Sequence, residues 1–154
     1  MFRQFTDRMP IDQNSGTAAQ GQNPHSVVIS LKAAESEVSS VVDKVMQMVR
    51  ETNCADGKEM DVEIALREAL ANAIKHGAAG DSSKIIECRV SCEEPGILIV
   101  VRDPGNGFDP TTVPDPLSGE NIYSNHGRGI FLINRLMDEV KFEKNGTEIH
   151  MRKY

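Results

Sequence analysis

The stretch EALANAIKHG, residues 68–77, carries two faces of one amphipathic helix. Its apolar residues recur at helical intervals and can pack against a core. Glu68, Asn72 and Lys75 lie at positions i, i+4 and i+7, so they form a polar stripe. Such a stripe is typical of the solvated back of a helix and equally of one wall of a binding site. The spacing itself does not decide between the two.

Around this stretch the sequence predicts three helices. The longer pattern at 59–76 contains the stretch and ends at Gly77, a residue type common after helix C-termini. Valine and methionine residues at helical intervals predict another helix at about 36–51, with Ser36 as its N-cap. GIFLINRLMDEV predicts the third at 129–140.

Runs of β-branched and apolar residues predict five strands. They lie at 27–31, at 84–91 and 96–103, and in a terminal hairpin at 141–153 that turns at an Asn-Gly pair. In the resulting order β-α-α-β-β-α-β-β, helices and hairpins are partly segregated. This order favours the α+β class: a two-layer α/β sandwich in which helices cover one face of a mixed, largely antiparallel sheet.

Composition limits the classes of protein that the chain can represent. Its 154 residues, 39% hydrophobic and 26% charged, suit one soluble globular domain. We expect a poorly ordered polar leader at 1–24 and a domain at 25–154. No apolar run predicts a signal peptide or a membrane span, so we expect a cytoplasmic protein without a membrane partner. The net charge of −6 argues against direct nucleic-acid binding.

The three cysteines are Cys54, Cys88 and Cys92. Because the number is odd and the expected compartment is cytoplasmic, we expect reduced thiols. Cys88 and Cys92 lie four apart on one predicted strand and could share a face. A metal site there would need two further ligands, and no other residues have a suitable spacing.

The segment RDPGNGFDP, residues 102–110, places a carboxylate directly after a buried-looking strand. Asp103 there could accept a hydrogen bond from an exocyclic amine such as that of adenine. Gly105 and Gly107 permit a close backbone approach to a ligand. Since Asp, Pro, Gly and Asn are all turn formers, a plain strand-exit turn has the same composition.

A second glycine pair lies in HGRGIFLI, residues 126–133, where a helix begins. Gly127 and Gly129 would free backbone N–H groups at a helix N-terminus to contact an anion, and Arg128 could pair with phosphate oxygens. A flexible hinge explains the same glycines. The spacing matches neither a dinucleotide fingerprint nor a P-loop.

With these glycine segments, the polar stripe acquires a chemical interpretation. Asn72 could supply one oxygen ligand to Mg²⁺ bridging nucleotide phosphates, and Glu68 could deprotonate an attacking hydroxyl or water. Lys75 could contact phosphate from the same face. Thr147 follows the Asn-Gly turn, where a β-branched residue after a hairpin turn would be unremarkable.

Taken in this order, EALANAIKHG, DPGNGF, HGRGIFLI and NGTEIHM resemble the sequence boxes of the GHKL, or Bergerat-fold, ATP-binding superfamily over about residues 25–154. The chain most resembles the bacterial anti-sigma-factor serine/threonine protein kinases. The resemblance implies the histidine-kinase-like ATPase fold. It also implies that about 106–128 forms a mobile ATP lid.

The resemblance carries roles onto individual residues. It implies that Glu68 is the catalytic base and that Asn72 ligates Mg²⁺. Asp103 would contact the adenine amine with help from Thr147. Lys75 matches a basic position that some branches of the superfamily share.

It assigns the glycine segments to the two ends of the nucleotide. Gly105 and Gly107 would shape the adenine side of the pocket. Gly127, Arg128 and Gly129 would meet the phosphates.

The implied function is phosphorylation of an anti-anti-sigma partner of the STAS type with ATP and Mg²⁺. Many members of the family also sequester a sigma factor and form homodimers. Two alternatives stay open: a nucleotide-binding module that sequesters a partner without turnover, and a slow ATPase with water as acceptor. Glu68 favours the kinase, because a pure binder needs no base.

Overall fold

The computed structural model of the protein describes residues 25–93, 95–107, 111 and 125–154. The predicted leader at 1–24 and most of the predicted lid at 106–128 lie outside these residues. None of the helices in the described ranges combines the length and apolar composition that a membrane crossing requires.

The described elements follow the predicted order of strands and helices. They are β1 (Ser26–Lys32), α1 (Glu35–Thr52), α2 (Glu59–Asn72), β2 (Ile85–Glu93), β3 (Gly96–Arg102), α3 (Asn125–Leu136), β4 (Glu139–Glu143) and β5 (Glu148–Lys153). A π-helical turn, Ala73–Gly77, continues α2 without a break.

The five strands form one sheet in the order β1-β2-β3-β5-β4. Each pair of neighbours is antiparallel. One row of residues crosses the whole sheet through successive pairings and contributes to the core: Ile29, Cys88, Val101, Ile149 and Phe142. Side chains alternate between the faces of a strand, so this row marks the face that the helices cover.

The helices supply the other half of the core. Val45 on α1, Leu66 on α2 and Ile133 on α3 are each fully buried. Arg89 on β2 is exposed on the opposite face of the sheet. The predicted α+β class, with helices on one face of the sheet, is therefore confirmed. The sheet is antiparallel throughout the described strands rather than mixed.

Two predicted helix ends were wrong. The first helix begins at Glu35, and its N-cap residue is the extended Ala34, whose side chain makes no capping bond; Ser36 is therefore not the cap. The acidic residues of the first turn instead lie near its free N–H groups. The third helix ends at Leu136 rather than at 140, because Glu139 and Val140 pair with β5.

The prediction of reduced cysteines was wrong for one pair. Cys54 and Cys92 are disulfide-bonded, with their Cα atoms 5.7 Å apart. The antiparallel sheet brings the end of β2 beside the turn after α1, although the two residues are 38 apart in sequence. Cys88 is a free, buried thiol.

Candidate functional site

Two cavities meet at the C-terminal end of α2. The Asp103 cavity, of about 400 Å³, lies between the π-helical turn and the segment that follows β3. The Glu68 cavity, of about 380 Å³, lies between α2 and the first turn of α3. Asn72 and His76 line both, so the two spaces are neighbours along one path.

Asp103 is held at the wall of its cavity by backbone contacts. Its N–H donates to the carbonyl of Thr147 at 2.9 Å, which continues the β3–β5 pairing by one residue. One carboxylate oxygen accepts the N–H of Gly105 at 2.8 Å. Burial raises the pKa of the Asp103 carboxyl, and the Gly105 N–H partly opposes that rise. The second carboxylate oxygen is suited to accept a hydrogen bond from a ligand amine.

Three glycines allow the backbone to pack around Asp103. A Cβ atom at Gly77 would overlap the Asp103 side chain, and one at Gly105 would lie 2.6 Å from the Gly77 carbonyl oxygen. Gly107 has a φ of +80°, and a Cβ there would overlap the carbonyl of Asn145. The π-helical turn, the Asp103 segment and the β4–β5 turn therefore approach one another at backbone distance.

Thr147 lies beside Asp103 through its backbone rather than through its hydroxyl. The hydroxyl donates to the carbonyl of Lys144 at 2.8 Å, within the β4–β5 turn. Its oxygen retains acceptor capacity. Gly146, the preceding residue, lines the Asp103 cavity.

The polar stripe of α2 faces the Glu68 cavity. Glu68, Asn72 and Lys75 all line it, which makes the stripe a cavity wall rather than a purely solvated helix back. Lys75 and the neighbouring His76 are exposed at its mouth. Partial burial of the ring lowers the pKa of His76, and the nearby Lys75 ammonium lowers it further.

The first turn of α3 packs directly against this wall. A Cβ atom at Gly129 would lie 3.0 Å from a carboxylate oxygen of Glu68 and 3.1 Å from the amide nitrogen of Asn72. Gly127 is buried in the same turn, and the exposed Arg128 lines the cavity. The N–H groups and dipole of a helix N-terminus favour an anion.

The donor set at Asn72 suits a hard cation that also binds phosphate. Mg²⁺ in nucleotide sites takes one or two protein oxygens, and its remaining ligands are phosphate oxygens and water. The Asn72 amide has one oxygen of this kind, and the Glu68 carboxylate lies one helical turn away.

Lys84 and Phe142 are among the residues lining the Asp103 cavity to which the sequence assigned no site role, and His76 had no assigned role either. The alternation of Val140 and Phe142 on β4 was a usable signal, because it marks the face directed at the helices. Lys84 carries no such signal, since it lies between a turn and β2.

The comparisons with known proteins agree with this geometry. Residues 31–153 match the family described as the histidine kinase-like ATPase domain. The chain is 37% identical over 102 residues to the serine-protein kinase RsbW of Staphylococcus aureus strains MSSA476, MW2 and JH9. That alignment covers 61% of this chain and 64% of each relative, so it spans less than two thirds of the relatives' length. Since the family match extends over most of the chain, the chain belongs to the histidine kinase-like ATPase family.

Proposed function

We propose that the chain binds Mg·ATP across the two cavities and acts as a serine/threonine protein kinase of the anti-sigma-factor type. One observation carries the proposal. Glu68 and Asn72, a potential base and a potential metal ligand, lie one helical turn apart and both face the first turn of α3 at Gly129. The likeness to serine-protein kinases supports it.

The Asp103 cavity takes the adenine. The adenine amine donates a hydrogen bond to the Asp103 carboxylate, and Thr147 is the neighbouring polar residue. Gly105 and Gly107 keep the adjacent backbone close without side chains that would fill the space. The cavity volume of about 400 Å³ lies within the range of small-molecule sites, roughly 300–1,000 Å³.

The phosphates extend toward the Glu68 cavity. The first turn of α3, which carries Gly127 and Gly129, meets them with the unpaired backbone N–H groups of a helix N-terminus. Arg128 and Lys75 add positive charge on either side. Asn72 provides the protein oxygen for Mg²⁺, which, when bound, offsets the negative charge of the phosphate oxygens.

Glu68 acts on the phosphoacceptor. Its carboxylate takes the proton of a serine or threonine hydroxyl while that oxygen attacks the terminal phosphorus of ATP. The bond from phosphorus to the bridging oxygen breaks, and ADP leaves with that electron pair. The product is a phosphoester on the acceptor protein.

The partners follow from the family resemblance. The acceptor is an anti-anti-sigma protein of the STAS type. The chain also binds and sequesters a sigma factor. We propose that the chain binds these partners in the cytoplasm, as a homodimer in which each copy contributes the domain at residues 25–154.

Replacement of the base tests the proposal. Glu68→Gln should keep Mg·ATP affinity and lose transfer of γ-phosphate to a STAS-domain acceptor, because the amide cannot take the proton. Glu63→Gln is the matched control, since Glu63 lies on the same helix and pairs with Arg67 instead. Calorimetry measures the affinity and labelled ATP measures the transfer.

Each outcome selects one function. A fully active Glu68→Gln variant would refute the base role. Wild-type protein that binds Mg·ATP without turnover would be a sequestering module. Release of phosphate into water with every STAS acceptor left unlabelled would make the chain an ATPase.

A further inference from the structure

The Cys54–Cys92 disulfide lies at the opposite end of the molecule from the candidate site. Cys54 precedes the start of α2 at Glu59, whereas the candidate site is at the other end of that helix. Cys92 pairs with Ile97 at the start of β3, whereas Asp103 follows the end of that strand. The bond is therefore separate from the nucleotide chemistry.

Both sulfur-bearing residues are accessible. Cys54 and Cys92 are partly exposed and line a third cavity of about 500 Å³, which also contacts Lys58 and Tyr154. That volume falls within the range of small-molecule sites, roughly 300–1,000 Å³. A small thiol can enter such a space and reach either sulfur, and accessible disulfides are the ones open to exchange.

The surrounding backbone has its own support when the bond is open. The N–H of Lys58 donates to the carbonyl of Ala55 at 2.8 Å, and the Lys58 ammonium donates to the carbonyl of Tyr154. The N–H of Cys92 donates to the carbonyl of His25 at 2.7 Å. These hydrogen bonds keep the fold intact when the disulfide opens, while the turn after α1 loses its covalent link to the end of β2.

Thr52 provides a partner for a reduced Cys92. Its hydroxyl donates to the carbonyl of Met48 at 2.8 Å, and its oxygen lies 3.2 Å from the Cys92 sulfur. Because its single proton is used on Met48, the oxygen can accept a hydrogen bond from the Cys92 thiol. This contact would hold the thiol close to Cys54, ready to close again.

Cys88 is an internal reference for reactivity. It is fully buried in the core, and burial raises the pKa of its thiol to about 12. The thiolate is the reactive form of cysteine, so a folded protein keeps Cys88 inert.

We propose that Cys54 and Cys92 form a reversible exchange site for low-molecular-weight thiols of the glutathione class. The closed disulfide acts as a clamp, because it ties the turn before α2, the helix that carries Glu68 and Asn72, to the end of β2. In opening, a glutathione thiolate attacks one sulfur, forms a mixed disulfide and releases the other cysteine as a thiolate. A second glutathione thiolate attacks the mixed disulfide. The products are two protein thiols, after proton uptake, and one glutathione disulfide; closing is the reverse reaction, with glutathione disulfide as the oxidant.

A glutathione titration of the folded full chain tests the site. Protein is equilibrated in buffers of graded reduced and oxidised glutathione, trapped with iodoacetamide and analysed by peptide mass spectrometry. We expect both Cys54 and Cys92 to become alkylated together as the buffer becomes more reducing, and Cys88 to stay unmodified until denaturant is added. A bond that stays closed in excess reduced glutathione, or thiols that stay open in excess glutathione disulfide, would overturn the proposal.

Variants separate exchange from misfolding. Cys92→Ser and Cys54→Ser should each leave one accessible thiol that takes up a single glutathione, with Cys88 still buried, while Cys88→Ala should titrate like the parent. Circular dichroism verifies the fold of each variant. Limited proteolysis then tests whether the disulfide restrains the turn: cleavage within residues 53–58 should increase several-fold when the bond is open. Equal cleavage in both states would show that the bond opens without acting as a clamp. Because the readouts are thiol occupancy and proteolysis, they do not depend on the proposed kinase activity.

Discussion

Asp103 combines a cavity-lining carboxylate with a raised pKa, and both follow from its position just past β3. The backbone of Thr147 and the N–H of Gly105 fix the side chain, while the packed glycines bury it. The chain therefore holds a carboxylate in surroundings that disfavour its charged form. This arrangement suits recognition of a neutral amine better than binding of a cation.

The raised pKa predicts a pH dependence for nucleotide binding. Because Asp103 is half-buried, it takes up its proton at a pH above the ordinary value of 3.8, so ATP affinity should be lost as the pH falls through that raised pKa. The effect on stability has the opposite sign, because ionisation of a group with a raised folded pKa costs stability as the pH rises through it.

Calorimetry at a series of pH values measures the affinity change. Asp103→Asn is the comparison: it should bind ATP roughly 10- to 150-fold more weakly at neutral pH, the equivalent of one hydrogen bond to a charged group at about 1.5–3 kcal/mol. The ATP affinity of the Asp103→Asn variant should not fall at acid pH through protonation at this position. Unchanged affinity in Asp103→Asn would remove the adenine from this cavity, and Asp43→Asn, an exposed change on α1, controls for charge.

At the scale of single residues, short motifs were predictable and long-range neighbours were not. Asp103 and the nearby glycines stand out within nine residues of sequence. Lys84 and Phe142 line the same cavity only because strand pairing and the path of the chain bring them there. Without the strand register, no local pattern connects them to Asp103.

At the scale of elements, the predicted helices and strands exist, and the differences lie at their ends. The pairing of Glu139 and Val140 with β5 overrides a helical pattern that continues to 140. Likewise, the periodic apolar spacing of α2 continues through residues that adopt a π-helical turn. Tertiary contacts decide such boundaries, whereas the sequence period shows only that a face is apolar.

The close approach of α3 to α2 makes a prediction about Gly129. Gly129→Ala would place a methyl group 3.0 Å from the Glu68 carboxylate, so α3 must shift or Glu68 must move. Either shift displaces Glu68 and Asn72 relative to the turn of α3, so we expect Mg·ATP affinity to fall several-fold. Ser40→Ala, an exposed change on α1, is the control. Equal affinities in both variants would contradict a phosphate site at this helix turn.

At the scale of the whole molecule, the α+β class was predictable because it rests on the order of elements and on apolar alternation. The disulfide was not, since it joins residues that only the finished sheet brings together. The fold therefore places one covalent link where composition predicted none. That link should contribute to the stability of the whole domain.

Loss of the Cys54–Cys92 disulfide should lower the free energy of unfolding. For a pair 38 residues apart, restriction of the unfolded chain predicts about 3–4 kcal/mol. Guanidinium denaturation of the oxidised and reduced protein measures the difference. Cys54→Ser should match the reduced parent and respond no further to reductant. A reductant effect that persists in Cys54→Ser would place the change elsewhere.

The π-helical turn has a consequence for how the site could vary among sequences. Each residue of an α-helix rotates the chain by about 100°, and a π-turn accommodates one residue more than the α-helical count. Ala73–Gly77 thus sets an angular offset between the wall formed by Glu68 and Asn72 and the wall formed by Gly77. If the same residues wound as a regular α-helix, without the wider turn, Gly77 would be rotated away from Asp103 by up to about 100°. The two cavities would then no longer meet, even though every functional side chain would still be present.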